Sequence, residues 1–420
     1  MKETLTLKNL LFYSICLVAI TLPLSMKINT LSIILSLLIV LIDIIKEKNA
    51  RLMIPGKYEL LFIGYYLMIL FTIIYTENIG EALKKLEYNS SFIVLPVFYY
   101  RIRQLKLKEY EIIQKLYVVS LLLTSIALVV IASFKYLNGD NSNVFFYHSL
   151  TSPLGFHAIF FSMYVVLGLI LVAFNNEKTR IKGKAYIIIF FCFILILLSS
   201  KSIIIFTFLY FSVWLFLSKG IKRKKVILLM IISCFLLLTL GNGFFKDRFI
   251  QIFNIEALNI LKEDSMTEFD QVNGLTLRLM FSKYAIIETI KNPFDILFGQ
   301  GFGDKQLFLD SVYEKHNMAI TIDGKKIGYY GYNLHNQYIE TFVCAGLLGI
   351  TYLVFLLIVL TKKFSSNKMA FSFGLLIVWS FLFESVIMVN KGIVFFVFWS
   401  LIFINIDLNE DSDTRNTRNT

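Results

Sequence analysis

One histidine stands where a polar, tyrosine-rich stretch meets a long apolar one, in "GYYGYNLHNQYIETFVCAGLLG". His335 is therefore expected in the first turn of a helix, where the positive end of the helix dipole favours a neutral imidazole. A neutral imidazole accepts a proton, which makes His335 a candidate general base. The spacing leaves open an alternative, an interfacial histidine that is hydrogen-bonded to the backbone.

A second candidate is Arg278, in the first turn of a predicted amphipathic helix over "TLRLMFSKYAIIETIKNPF". Its guanidinium could bind a phosphate through two parallel hydrogen bonds, or it could be an ordinary solvated charge. Thr276 or Asn273 is predicted to cap this helix and Asn292-Pro293 to end it. The helix is expected to lie on the membrane face or over a helix bundle. Its apolar face consists of Leu277, Met280, Phe281, Tyr284 and Ile287.

Two further charged residues lie at or inside apolar stretches. Lys201, in "SSKS", is either a phosphate-binding cation or a lysine whose charged end reaches the membrane surface. Glu384 lies inside "WSFLFESVIMVNKG", and acidic residues within membrane spans are costly, so they are functional candidates by default. A structural ion pair with Lys391, on the same face if the helix persists, is the competing explanation.

The segment "GQGFGD" contains Gly299, Gly301 and Gly303. It is not a Walker motif, because no Gly-Lys-Ser/Thr follows, and its spacing differs from that of dinucleotide-binding loops. The glycines are predicted to allow a sharp turn or a close approach of the backbone to a ligand. The histidines other than His335 have no metal-site spacing, so no metal is expected. The four cysteines all fall in apolar stretches, which indicates buried residues rather than disulfides.

These residues must be positioned by a scaffold embedded in a membrane. The 420-residue chain is 57% hydrophobic and 17% charged, whereas soluble proteins carry about 25% charged residues. The net charge of +12 does not indicate nucleic-acid binding, because Lys and Arg lie in short clusters between apolar spans. The composition therefore predicts an integral membrane protein.

Twelve apolar spans are predicted, which gives an all-α, polytopic transmembrane helix bundle with one large extracytoplasmic loop that contains the amphipathic helix. The fourth span is short for a bilayer, and the seventh and eighth are predicted to be two antiparallel helices. The spans are 9–26, 28–45, 58–76, 89–101, 116–134, 156–174, 185–199, 202–218, 226–241, 337–360, 370–388 and 392–407.

The distribution of Lys and Arg orients the bundle. With the N-terminus inside, most Lys and Arg of the short connections lie inside, above all in "KGIKRKK" at Lys219–Lys225. Both termini are therefore predicted to be cytoplasmic and the loop at 242–336 to lie outside. We expect N-terminal helices at 1–184, a second region at 185–408 that includes this loop, and a polar cytoplasmic tail at 409–420. The first apolar run has no cleavage site after it and is interpreted as an uncleaved helix.

Together these features resemble the bacterial O-antigen ligase and O-antigen polymerase family. The resemblance rests on "RLMFSKYAIIETIKNPFDILFGQGFGD", "LHNQYIETFVCAGLLGITYLVFLL" and the closing "FESVIMVNKGIVFFVFWSLIF", and it covers roughly 185–405. The family usually has Ser-Arg between its paired mid-chain helices, whereas Ser200-Lys201 here keeps the charge but loses the planar fork. The positions that match the family pattern are Arg278, Pro293, Gly299, Gly301, Gly303, His335, Asn336, Tyr338, Gly346 and Gly349.

The resemblance implies a glycosyltransferase of the bacterial inner membrane that uses no cofactor, nucleotide or metal. Family members move a glycan from an undecaprenyl-diphosphate carrier to an acceptor hydroxyl on the periplasmic side, in surface polysaccharide or lipopolysaccharide biosynthesis. His335 would be the base, and Arg278 and Lys201 would stabilise the diphosphate leaving group. The predicted site residues are the catalytic His335 and Arg278, with Lys201, Asn336, Tyr338, Gly299, Gly301, Gly303, Glu384 and Arg248 binding substrate.

Several functions stay open at this point. A ligase would move a finished glycan to a lipid acceptor, whereas a polymerase would join repeat units on the carrier. A transporter of lipid-linked glycans is an alternative of another class; it predicts inverted repeats and polar residues at mid-membrane. The two halves show no such repeat, and the polar candidates cluster at the predicted outer face. A membrane scaffold or sensor that uses the long loop as a partner site is a third possibility.

Overall fold

The fold is a helix bundle with a small folded unit packed on one end, as described by a computed structural model. The described residues form sixteen α-helices, four short 3-10 segments and one pair of strands. The predicted span at 226–241, the basic cluster at 219–225 and Arg248 lie outside them. The described residues are 7–47, 55–103, 105–174, 183–217, 262, 265–266, 274–322 and 325–416.

The first half of the chain contributes eight α-helices. They are α1 (Leu7–Thr21), α2 (Met26–Glu47), α3 (Lys57–Phe71), α4 (Ile79–Asn89), α5 (Ser91–Ile102), α6 (Leu107–Leu137), α7 (Tyr147–Thr151) and α8 (Ala158–Phe174), with 3-10 segments at Thr72–Ile74, Ser142–Phe145 and Ser152–Leu154.

The second half contributes the remaining elements. They are α9 (Lys184–Leu198), α10 (Lys201–Leu217), α11 (Gly274–Thr289), α12 (Pro293–Phe298), α13 (Lys305–Lys315), β1 (Ala319–Ile322), β2 (Lys325–Gly328), α14 (Gln337–Phe364), α15 (Lys368–Phe383), a 3-10 segment at Val386–Met388 and α16 (Asn390–Asn416).

The apolar helices confirm an all-α membrane protein. Among the described residues, four helices are long and apolar enough to cross a membrane. A fifth candidate is a pair bent by 84°, in which α7 and the following 3-10 segment meet α8. Shorter apolar helices are found at α1, α9, α10, α15 and the first part of α16. The total of twelve spans stays a prediction.

The centre of the bundle is formed by helices that are apolar on every side. All residues of α8 from Ala158 to Val172 are buried, and the same holds in α16 from Ile393 to Ile404. A helix without a polar face is stable only where its apolar surface is removed from water, inside a protein or in lipid. Trp399 on α16 is fully buried and meets the ring of Tyr117 edge-on, with ring centroids 4.8 Å apart.

The predicted seventh and eighth spans form two separate helices, α9 and α10. The chain turns between them at Ser199, whose φ of 49° lies in the left-handed region. The start of α10 is fixed to α15, because the indole nitrogen of Trp379 donates to the carbonyl of Ser202 at 2.9 Å. Lys201 is the residue before Ser202, and Trp379 lies about one helical turn before the end of α15 at Phe383.

Helices α11 to α13 and the β1–β2 hairpin form what we call the α11–α13 unit, which has a hydrophobic core of its own. Met280, Phe281 and Tyr284 of the predicted apolar face are fully buried. They pack against α13, where Tyr313 meets Phe281 with ring centroids 4.7 Å apart. The helix begins at Gly274, so Thr276 lies inside it and is not the cap, whereas Asn273 lies outside the described residues.

The unit is attached to the bundle where α14 is broken. Gly346 has φ 61° and ψ −156°, so the helical hydrogen bonds are interrupted there. The backbone N–H of Gln300 donates to the carbonyl of Val343 at 2.8 Å, and that of Gly301 donates to Cys344 at 2.9 Å. Buried carbonyls need partners, and the glycine-rich segment supplies them.

Candidate functional site

His335 lies just before α14 rather than in its first turn. The helix begins at Gln337 and is capped by Asn336, and His335 itself has a left-handed φ of 48°. Its side chain is 25% exposed, and Nδ1 lies 3.1 and 3.3 Å from the two carboxylate oxygens of Glu384. With Nδ1–H donating to the carboxylate, Nε2 is the nitrogen that remains to accept a proton.

Glu384 is set at the end of α15 by a change in backbone conformation. The helix stops at Phe383, and Glu384 is extended, with φ −155° and ψ 146°. The competing explanation, an ion pair with Lys391, required a continuous helix and is therefore wrong. Lys391 instead lies over the rings of Phe156 and Phe160, and its ammonium group is 3.4 Å from the carbonyl of Gly155.

Arg278 reaches the same place from the α11–α13 unit. Its Nη1 donates to the carbonyl of Phe383 at 3.1 Å, next to the carboxylate that contacts His335. A guanidinium has five N–H donors, so this bond leaves most of them for another acceptor. The imidazole of His335 and the guanidinium of Arg278 therefore both contact residues 383–384. The imidazole, the guanidinium and the carboxylate of Glu384 come from three different parts of the chain.

Asn336 and Tyr338 tie the start of α14 to α15. The side-chain oxygen of Asn336 accepts from the N–H groups of Tyr338 and Ile339, and its amide nitrogen donates to the carbonyl of Leu382 at 3.1 Å. The hydroxyl of Tyr338 donates to the carbonyl of Val378 at 3.1 Å. Both side chains thus hold the backbone around His335, and their predicted role in binding substrate stays a prediction.

Gly299 and Gly346 let two backbones touch. A Cβ atom at Gly299, which has φ 71°, would lie 2.4 Å from the backbone nitrogen of Ala345. A Cβ atom at Gly346 would lie 2.3 Å from the carbonyl carbon of Leu297. Neither distance is physically possible without a shift of the main chain, so the close approach predicted for the glycines is to α14 in these two cases.

The rest of the glycine-rich segment contacts the loop between α3 and α4. A Cβ atom at Gly301 or Gly303 would meet the hydroxyl of Thr76 at 2.9 or 2.8 Å. The carboxylate of Asp304 accepts from that hydroxyl at 2.9 Å and from the backbone N–H of Asn78 at 2.8 Å. The segment therefore joins both halves of the chain.

Three residues that lie behind the site were missed by the sequence analysis: Lys305, Glu340 and Ser385. The ammonium group of Lys305 lies 2.5 Å from Oε1 of Glu340, and these side chains are only 7% and 0% exposed. Although burial disfavours its charged form, the carboxylate of Glu340 raises the pKa of Lys305 above its ordinary value. The acid in the first turn of an apolar span was a usable signal, but nothing in the sequence linked it to Lys305.

The predicted positions are thus only partly brought together. His335, Arg278 and Glu384 share one location, while Lys201 lies at the start of α10, next to Ser202, which contacts Trp379 of α15. Arg248 lies outside the described residues. Within those residues, no group of three or more His, Cys, Asp and Glu side chains is arranged to hold a metal ion.

The fold and this group of side chains define a polytopic membrane protein with a histidine–glutamate pair and an arginine at one end of its bundle. The family model described as O-antigen ligase matches residues 185–354. The match confirms the resemblance to the O-antigen ligase and polymerase family and places that region in it. Glu384 lies beyond the matched residues. A search of curated proteins finds no match.

The match of this region supports the following general function. Proteins of this family are membrane glycosyltransferase-like enzymes of lipopolysaccharide biosynthesis, act on lipid-linked glycans and belong to the bacterial inner membrane.

Proposed function

We propose that the protein transfers a glycan from undecaprenyl diphosphate to an acceptor hydroxyl at the periplasmic face of the inner membrane. The observation that carries this proposal is the convergence of Arg278, His335 and Glu384 on one short segment. Each of these groups has a role that this reaction needs, and the family match independently favours lipid-linked glycans as substrates.

The acceptor hydroxyl attacks the anomeric carbon of the donor glycan, and its proton passes to Nε2 of His335. Glu384 accepts a hydrogen bond from Nδ1–H and stabilises the imidazolium that forms. The new carbon–oxygen bond replaces the bond to the carrier, whose electron pair leaves with the diphosphate. Proton, electron pair and leaving group are then all accounted for.

Arg278 supports the departure of the diphosphate. As the glycosidic bond breaks, negative charge grows on the phosphate oxygens, and a guanidinium fixed in advance stabilises that charge most at the transition state. The hydrogen bond to Phe383 holds Arg278 in place before substrate arrives. Lys201, at the start of α10, is a second cation that could approach the same diphosphate.

The proposal is tested by deleting the gene and examining surface glycans and lipid-linked glycans on gels. Loss of the long-chain product, with carrier-linked long chains accumulating, indicates a ligase. Accumulation of a single-repeat glycolipid indicates a polymerase, and an unchanged glycan profile contradicts the proposal.

Complementation then assigns the residues. The wild-type gene should restore the product, whereas His335→Ala and Arg278→Ala should not, at equal amounts of protein in the membrane. His316→Gln is a matched control, since His316 lies in the α11–α13 unit and contacts Glu288 instead. A His335→Ala protein that restores a normal product would refute the catalytic assignment.

A further inference from the structure

The buried Lys305–Glu340 pair is connected to both sides of the candidate catalytic pair. One oxygen of Glu340 faces Lys305, and the other accepts two hydrogen bonds. One comes from the backbone N–H of Leu334 at 2.9 Å, and the other from the hydroxyl of Ser385 at 3.0 Å. Leu334 immediately precedes His335 and Ser385 immediately follows Glu384, so one carboxylate holds the chain next to each partner.

The first turn of α14 makes further bonds to the same stretch of chain. The side-chain oxygen of Gln337 accepts from the backbone N–H of Ile387 at 2.9 Å, and Gln337 is fully buried. With the bonds of Asn336 and Tyr338 described above, four side chains of this turn reach residues 378–387. We call this set of contacts the clasp; its members are Asn336, Gln337, Tyr338 and Glu340.

Within the clasp, Glu340 is the only charged member, and its charge must be balanced. A carboxylate that is fully buried is costly unless a cation and hydrogen bonds compensate it. Lys305 supplies the cation from α13, one residue after the glycine-rich segment that enters the break in α14. The docking of that segment therefore also delivers the counter-charge on which Glu340 depends.

We propose that Lys305 and Glu340 are positioning residues, which set the distance and orientation of His335 relative to Glu384 without touching substrate. This inference rests on the proposed function for its kinetic consequences. Glu340 acts through the acceptor oxygen that holds Leu334 and Ser385, and Lys305 acts by supplying the counter-charge 2.5 Å from the other oxygen of that carboxylate. A displacement of a catalytic group by about 1 Å can cost roughly 100-fold in rate.

Two double variants separate positioning from charge balance. Lys305→Met with Glu340→Gln removes both charges but keeps an acceptor oxygen for Leu334 and Ser385. Lys305→Met with Glu340→Leu removes the charges and the acceptor together. We expect the first to keep kcat within about threefold of the wild type. The second should lose about 10- to 100-fold in kcat, with an unchanged KM for the donor and a shifted pH–rate profile.

The substrate for this assay is the lipid-diphosphate-linked glycan that accumulates in the deletion strain. The control is Arg103→Met with Glu59→Leu, which removes another buried glutamate, at the start of α3, and the partly exposed cation 2.8 Å from it, which follows α5. That control is expected to leave the pH–rate profile unchanged. Equal kcat and equal pH profiles for the two Lys305 double variants would overturn the inference.

A second measurement does not depend on transfer activity. Diethyl pyrocarbonate modifies exposed neutral imidazoles, and peptide mass spectrometry identifies which histidine has reacted. His335 should react several-fold faster in the Lys305→Met, Glu340→Leu protein than in the Lys305→Met, Glu340→Gln protein, because the ring is no longer held against Glu384. Equal reaction rates would contradict positioning, even if the proposed transferase function itself had failed.

A milder substitution covers the case in which the leucine variant does not fold. Ser385→Ala removes one hydrogen bond to Glu340, and Ser380→Ala removes a comparable buried hydroxyl, one that bonds within α15. We expect Ser385→Ala to lower kcat by about 3- to 10-fold and to speed the modification of His335, with Ser380→Ala neutral in both. If the two serine variants behave alike, Glu340 has no positioning role.

Discussion

The bundle and the α11–α13 unit differ in what holds them and in what they supply to the site. The bundle surrounds α8 and α16, whose buried surfaces are almost wholly apolar. The unit has a small core around Phe281 and is joined to the bundle through backbone hydrogen bonds and a buried ion pair. The bundle supplies Glu384 and the unit supplies Arg278, so the candidate site exists only where the two are docked.

This difference predicts where substitutions should affect activity and where they should affect stability. The hydrophobic effect is non-directional, whereas hydrogen bonds and ion pairs between buried groups depend on distance and direction. Substitutions of polar side chains at the junction should therefore affect activity more than stability, and substitutions in either core should do the reverse.

The largest effect is expected from removing the reacting groups at the junction. His335→Ala and Arg278→Ala should each lower transfer by about 10²–10⁴-fold, because each removes a group that acts in the transition state. Neither side chain belongs to a hydrophobic core, so helical content and thermal stability in detergent should be unchanged. The check is the product per unit of membrane protein. A wild-type rate for Arg278→Ala would mean that the unit adds no chemistry.

The core of the unit can be broken separately from the bundle. Phe281→Ala should destabilise the unit by about 3–5 kcal/mol, because it empties a fully buried position beside Tyr313. Limited proteolysis should then cut within residues 274–322 while the bundle helices stay protected. Leu307→Ala is the control, since Leu307 lies on α13 and is 60% exposed. Simultaneous digestion of both parts would show that they fold as one cooperative body.

The junction itself is tested with a pair of glycines. Gly299→Ala and Gly331→Ala both place a side chain at positive φ, of 71° and 75°. Such strain costs about 1–3 kcal/mol. Only the alanine at Gly299 would also collide with α14, because Gly331 faces open space. Gly299→Ala should therefore be clearly less stable and less active than Gly331→Ala. Equal behaviour would mean that the close packing against α14 is dispensable.

The smallest effect concerns pH. Although burial opposes it, hydrogen bonds from Lys291, Lys315 and His316 lower the pKa of Glu288 in the unit to about 2. A carboxyl group in an unfolded chain titrates near 4.3. The stabilising contribution is thus almost fully present above about pH 5.5 and is lost progressively as the pH falls toward 2. Melting temperatures measured from pH 6 to pH 3 should fall less steeply for Glu288→Gln, and equal slopes would contradict this assignment.

Much of the architecture could be predicted because membrane helices are recognised in a sequence by their length and apolar composition. The turn between α9 and α10 and the end of α11 before Asn292-Pro293 agree with the sequence patterns. The placement of His335 was close, but the helix begins two residues later. The alternative that Glu384 pairs with Lys391 was wrong, because the helix ends at Phe383 and the carboxylate lies beside His335.

By itself the sequence determined the class of protein, the apolar helices and the residue types that could act on a diphosphate, because these follow from composition and local periodicity. Only the tertiary structure decided that Arg278, His335 and Glu384 meet, and that Lys305 balances Glu340. Those contacts join residues far apart in the chain, and their distances depend on how α14 is broken and how the glycine-rich segment fills the break. Local patterns carry no information about such packing between distant segments.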